Sequence, residues 1–293
     1  MNPTVPHPAE SALASGDTAT APTRGPRTFE PDPTLPGLSF FGVVRSELSK
    51  LLALRTTYWL SAITLGLSAL ISGGVAWGFS SFSDETSQLM LAEGAMTGLY
   101  FGLLLLGALA VISMTTEFTT GAIRSSLTVV PRRNLLYLAK ATAITLLVAV
   151  VTAAVIIACH LVAALFSGEL EVLAPFSDSE VGYVYLTHWI SVIITALMGF
   201  GLGALLRSSA GGIVVLTIII FVVQIVVAIL YGVTQGAEWA EMLMRAEYSY
   251  LVMEFTSVDA VRDMELWQSL LGVFAWAAVP FGLGWLTFSR RDV

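Results

Sequence analysis

Residues 117 to 140 read EFTTGAIRSSLTVVPRRNLLYLAK and separate two long apolar runs. Arg124, Arg132, Arg133 and Lys140 make this the only strongly basic segment inside a hydrophobic body, in a chain with 14 basic and 21 acidic side chains. Basic residues are retained on the cytoplasmic side of a membrane, so the stretch is expected to face the cytoplasm. It carries Glu117 at the end of an apolar run, then Gly121, then Arg124, and Pro131 followed by two arginines. A plain connection between two helices needs far fewer special residues.

Outward from that stretch the chain is 56% hydrophobic and only 12% charged, with a mean hydropathy of +0.80. Polar surface on that scale cannot cover a soluble globule of 293 residues, so the composition indicates an integral membrane protein. Residues 1 to 36 hold eight of the eleven prolines and no apolar run, which predicts a disordered cytoplasmic tail and not a cleaved secretion signal. The single Cys159 excludes an internal disulfide and a multi-cysteine metal site within one chain.

Six runs are long enough to cross a bilayer as helices, at about 58–79, 98–116, 141–166, 184–206, 211–233 and 267–288. They are apolar throughout and do not alternate every second residue, which excludes barrel strands. Twelve of the basic residues and seven of the acidic ones fall with the N-terminal region, the 117–140 stretch, Arg207 and the C-terminus, a net of +5. The loops near 80–97, 167–183 and 234–266 hold the remaining two basic and fourteen acidic residues, a net of −12. Both termini are therefore expected inside. Tyr58, Trp59, Tyr183, Tyr185, Trp189, Tyr231 and Trp267 are placed to form headgroup belts.

Residues 37–56 form a separate unit. Phe41, Val44, Leu48, Leu51 and Leu52 recur at helical spacing, with Arg45, Ser46, Ser49 and Lys50 opposite. The pattern fits an amphipathic helix in the cytoplasmic headgroup layer, or else an extension of the first span.

Glycines at four-residue spacing, Gly94, Gly98 and Gly102, Gly74 and Gly78, Gly199 and Gly203, allow close helix packing inside the bundle or between subunits. Gln224 lies in the middle of the fifth span and needs a partner, either as glue between helices or as a contact on a substrate pathway. His160 and His188 lie toward span ends and read as hydrogen-bonded side chains, not as metal ligands. No Asp, Glu, Lys or Arg lies deep in the six runs, which argues against an ion-coupled carrier. Lys50 and Lys140 lack the glycine-rich context of a phosphate loop, and no serine in a span has the setting of a nucleophile. The chain is therefore not expected to be an enzyme.

Three stretches, RSELSKLLALRTTYWL from Arg45, the 117–140 stretch and GFGLGALLRSSAGG from Gly199, resemble permease subunits of ABC-2 type exporters, particularly actinobacterial ones. The likeness covers residues 39 to 293. It implies an all-α integral membrane protein, with an amphipathic elbow helix at 37–56 and a six-helix permease domain at 57–293. It also implies a cytoplasmic coupling helix between the second and third spans, docked on a separately encoded ATPase. The family pattern falls on Glu117, Gly121, Arg124, Leu127, Pro131 and Arg132. The resemblance further implies dimerisation with a second copy or a paralogue, and export across a bacterial plasma membrane. No cofactor would be bound here: ATP and magnesium would sit on the partner. No nucleic acid is implied, and the substrate is left open. Other readings are a six-span scaffold or assembly factor, and a secondary carrier.

Overall fold

The computed structural model describes residues 39–82, 87–130, 132–258 and 262–290. The expected N-terminal tail and Pro131 lie outside these residues. Among the described residues every regular element is helical.

Helix α1 (Phe40–Ala53) opens where the Ser39 hydroxyl accepts the Gly42 N–H at 3.1 Å, satisfying one of the free donors of the first turn. It ends at Leu54, whose extended backbone (φ −82°, ψ 124°) separates it from α2 (Arg55–Phe82). Helix α1 is thus distinct from the helix of the first span. Its buried face is Val43, Val44, Glu47 and Leu51, while Phe41 and Leu52 point outward. Of the expected apolar residues, Val44 and Leu51 are buried against the bundle, Leu48 is half-buried, and Phe41 and Leu52 are exposed.

Helices α3 (Gln88–Met96) and α4 (Leu99–Thr119) follow as one span with a break at Thr97–Gly98, so the second span starts at Gln88 and not at Gly98. The break has a local cause. A Cβ at Gly98 would lie 2.3 Å from the Ser68 carbonyl oxygen, so α2 presses against the backbone there. The Ser68 and Ser72 hydroxyls donate to the carbonyls of Gly98 (3.0 Å) and Ala95 (2.5 Å), occupying acceptors at the break.

After the short α5 (Ala122–Val129) come α6 (Arg133–Ser167), α7 (Ala174–Ser177) and α8 (Ser179–Leu206), the last capped by Asp178. The fifth span is α9 (Ser209–Thr217), a π-helical turn at Ile218–Val222, and α10 (Val223–Val233). Two short helices, α11 (Glu238–Ala246) and α12 (Tyr248–Thr256), precede α13 (Leu266–Arg290). Six helical segments are long and apolar enough to cross a membrane, which makes this a multi-pass membrane protein. They run longer than the apolar runs alone indicate, taking in Glu93, Glu117, Lys140 and Glu180 toward their ends.

Helix α8 is the hub, packed most extensively on α4 and α13. Residues two apart on a helix point to nearly opposite sides, and residues four apart to the same side. A Cβ at Gly199 would fall 2.4 Å from the Gly107 carbonyl oxygen, and one at Gly203 would fall 2.8 Å from that of Val111. On the opposite side a Cβ at Gly201 would fall 2.4 Å from the Phe281 nitrogen. The GFGLG run therefore lets α8 touch α4 and α13 backbone to backbone. Gly98, Gly199 and Gly203 pack as expected within the bundle. Gly102 makes only ordinary contacts, and Gly74 and Gly78 face open space because α2 presents that side outward.

Of the seven residues expected in the aromatic belts, Tyr58, Trp59, Tyr231 and Trp267 are exposed. Tyr183, Tyr185 and Trp189 instead turn inward, where their polar tips find Phe255 O, His160 and Ala149 O.

Candidate functional site

The basic stretch becomes α5 and its flanks, and α5 sits at the end of the bundle where α1 packs on α6. Gly121 turns the chain from α4 into α5 with a left-handed backbone (φ 71°), a conformation that costs any residue with a Cβ on the order of 1–2 kcal/mol. On α5, Ile123 and Ser126 are buried and Leu127 is half-buried against the core, while Arg124, Ser125, Thr128 and Val129 are exposed. Arg132, at the N-cap of α6, is also exposed.

Glu117 does not pair with Arg124, the partner its position in the stretch makes nearest. It lies in a box of alternating charge with Glu47 of α1, Lys50 of α1 and Lys140 of α6, buried except at Lys50. The Lys140 Nζ reaches Glu47 Oε2 at 2.6 Å and also donates to Glu117 Oε1. Lys50 Nζ lies 2.7 Å from Glu47 Oε1, 3.4 Å from Glu117 Oε1 and 3.2 Å from the Ser126 hydroxyl. Lys140, Glu47 and Glu117 are 5%, 6% and 9% exposed, so these charges have left water and depend on one another. Burial works against the Lys50 charge, but its hydrogen bond to Glu47 and the nearby carboxylates outweigh that and hold its ammonium above the usual lysine range. The box joins the ends of α1, α4, α5 and α6 into one unit.

Glu47 was missed, yet its signal is present: it falls between Val43 and Leu51 at helical spacing, in the middle of a stripe that must be buried. A carboxylate there requires a cation from elsewhere.

At the opposite end a cavity of about 350 Å³ lies between α3, α4, α8, α10 and α12. Gln224 lines it, and its side-chain oxygen accepts from the Tyr100 hydroxyl at 2.8 Å. Gln224 thus has a partner on another helix and lines a cavity at the same place. Below it the π-helical turn displaces the backbone register, and the Ile220 carbonyl accepts the Ser249 hydroxyl of α12 at 2.6 Å. Glu247 caps α12, accepting the backbone N–H groups of Ser249 and Tyr250. Burial pushes its carboxyl above the usual carboxylate range, against those two bonds.

His188 also lines the cavity, with Nδ1 2.7 Å from the Val184 carbonyl. His160 is a tether: its Nδ1 meets the Tyr185 hydroxyl at 2.7 Å, and its Nε2 meets the Val172 carbonyl at 3.1 Å, holding the 168–173 loop to the bundle. Among the described residues no three His, Cys, Asp or Glu side chains are grouped to hold a metal. The chain matches no known family model, and no curated protein is similar to it at a significant level.

Proposed function

We propose that this chain is the membrane-spanning permease subunit of an ATP-driven exporter of the ABC-2 type. The observation that carries the proposal is the buried charge box with α5 locked onto it. A short helix between the second and third spans offers an exposed outer face, Arg124, Ser125, Thr128 and Val129, while its inner face is bonded through Ser126 to Lys50 and lies against Glu117. A push on such an element from outside is passed to three membrane-associated helices at once, because a packed, paired unit moves as a body. In this reading α1 is the elbow helix and α5 the coupling helix, at the cytoplasmic face. The ATPase, with its ATP and magnesium, is a separate chain. A second copy or a paralogue covers the outward apolar faces of α2 and of the fifth span (Leu70, Val214, Val222 and Ile229 among them).

One observation favours a secondary carrier: Glu93, an ionisable group, lines the cavity. Transport that stops when the proton gradient is dissipated in the presence of ATP decides for the carrier. The export reading predicts instead that the tagged chain, purified from its own host in mild detergent, brings down a Walker-motif ATPase. Replacing both Arg124 and Val129 with glutamate is expected to remove the ATPase and leave the permease folded. A complex that survives this double substitution contradicts the docking role of α5.

A further inference from the structure

The cavity beside Tyr100 has an unusual balance of hydrogen-bonding groups. Its hydroxyl hydrogens are already committed to the protein. Tyr100 donates to Gln224 at 2.8 Å, Ser249 to the Ile220 carbonyl at 2.6 Å, and Ser191 to the Thr187 carbonyl at 2.8 Å. Thr256 and Ser257 both donate to the Met253 carbonyl, at 3.1 and 2.8 Å, and Thr97 to the Glu93 carbonyl at 3.4 Å. A hydroxyl that has given away its one hydrogen keeps only lone pairs to offer.

The remaining polar groups lean the same way. His188 must carry its hydrogen on Nδ1 to bond the Val184 carbonyl, so in the neutral ring Nε2 is an acceptor. Glu93 adds a carboxylate, and among the described lining residues there is no lysine or arginine. The Gln224 amide nitrogen is the one strong side-chain donor left, because its oxygen is held by Tyr100. The rest of the wall is apolar, from Met96, Leu99, Leu103, Val192, Val252 and Met253. An anion entering this space would lose its water and find almost no donors, whereas an ammonium would find acceptors on several sides.

We propose that the cavity binds an amphipathic organic cation, a hydrogen-bond-donating ammonium carried on an apolar body, and that it rejects carboxylates and phosphates. Its volume of about 350 Å³ is within the range for small-molecule sites. Glu93 supplies the charge, and the committed hydroxyls together with His188 supply lone pairs to N–H groups. The inference rests on the export reading only in naming this ligand as cargo; binding itself needs no ATPase.

The test uses the full chain in nanodiscs of uncharged lipid, with two xanthene dyes of similar shape and opposite charge, rhodamine 123 and fluorescein, read by fluorescence anisotropy. Rhodamine 123 is expected to bind saturably and fluorescein at least tenfold more weakly. Decylammonium is expected to displace the bound dye, and decanoate is not. Glu93→Gln removes the charge from an exposed side chain, and it is expected to weaken rhodamine 123 about tenfold through loss of a charge-assisted contact. Fluorescein binding as tightly as rhodamine, displacement by decanoate, or no saturable rhodamine binding overturns the proposal. Unchanged rhodamine affinity in a folded Glu93→Gln chain places the dye elsewhere and also overturns it. The two dyes and the two competitors decide the matter on the unmodified chain. A negative result leaves the ATPase docking at the other end untouched, and failure of that docking leaves this measurement valid.

Discussion

Lys140→Ala is expected to cost this protein about 3–5 kcal/mol, the loss typical when one member of a buried ion pair is removed and its partners stay charged. Lys140 is 5% exposed and bonds both Glu47 and Glu117, so its removal leaves two carboxylates out of water with only Lys50 between them. A loss of that size lowers the unfolding midpoint by roughly 10 °C in a chain of this length. Thermal unfolding of the purified protein, followed by size-exclusion in detergent, reads it directly. The triple substitution Glu47→Gln, Glu117→Gln and Lys140→Met removes the three buried charges together, leaving only the half-exposed Lys50, and is expected to recover most of the loss, since the cost lies in unpaired charge and not in missing volume. A single variant as stable as the parent contradicts the buried box. Lys50→Ala is expected to cost less, because the Lys50 side chain is 47% exposed and screened by water.

Gly201→Ala is the second large effect. The added methyl carbon would sit 2.4 Å from the Phe281 nitrogen and 2.5 Å from the Pro280 carbonyl carbon, both backbone atoms of α13. Neither can swing aside as a side chain can, so α8 and α13 must separate. Overpacking of this kind costs about 1–3 kcal/mol, and here the distortion runs along the two helices. It reaches Tyr137, whose ring packs between Phe200 and Phe281 at centroid distances of 5.1 and 5.2 Å and whose hydroxyl bonds the Phe281 carbonyl at 2.8 Å. Gly78→Ala serves as the control: a Cβ at Gly78 meets nothing within 4 Å, and stability is expected to stay within about 0.5 kcal/mol of the parent. Equal behaviour of the two variants in the unfolding assay contradicts the packing of α8 on α13.

The class of fold and the number of spans were legible because bilayer hydrocarbon imposes long apolar runs, and Leu, Ile, Val and Ala declare them directly. The span ends were less so. Lys140 and Glu117 look like boundary residues by charge, but each is buried by partners that lie 93 and 67 residues away in Glu47 and Lys50. Pairing over such separations leaves no local pattern. The same limit applies to Gln224, where the demand for a partner could be read but not its answer in Tyr100. The glycines divide by what faces them: Gly199 and Gly78 look alike as letters, and only the neighbouring backbone separates a contact from open space.

The 117–140 stretch was readable as a place but not as a mechanism. The short helix was expected from the family resemblance that Gly121, Arg124 and Leu127 help to carry, whereas the burial of Ser126 against Lys50 and Glu117 follows from the docking of α1. That docking also separates two roles that the stretch alone assigns jointly. Glu117 is held inside the box, so its substitution disturbs folding, while Arg124 is exposed and reports on partners without that complication.

The most direct measurement therefore starts from Arg124. A photo-crosslinking residue placed there in the living host, with a second chain carrying it at Trp239 of α11 as the control, reports what touches each end of the bundle. The account predicts an adduct between position 124 and a protein carrying nucleotide-binding motifs, and no such adduct from position 239. Absence of an ATPase adduct at position 124, or its appearance from position 239, contradicts the exporter reading and the orientation on which it depends.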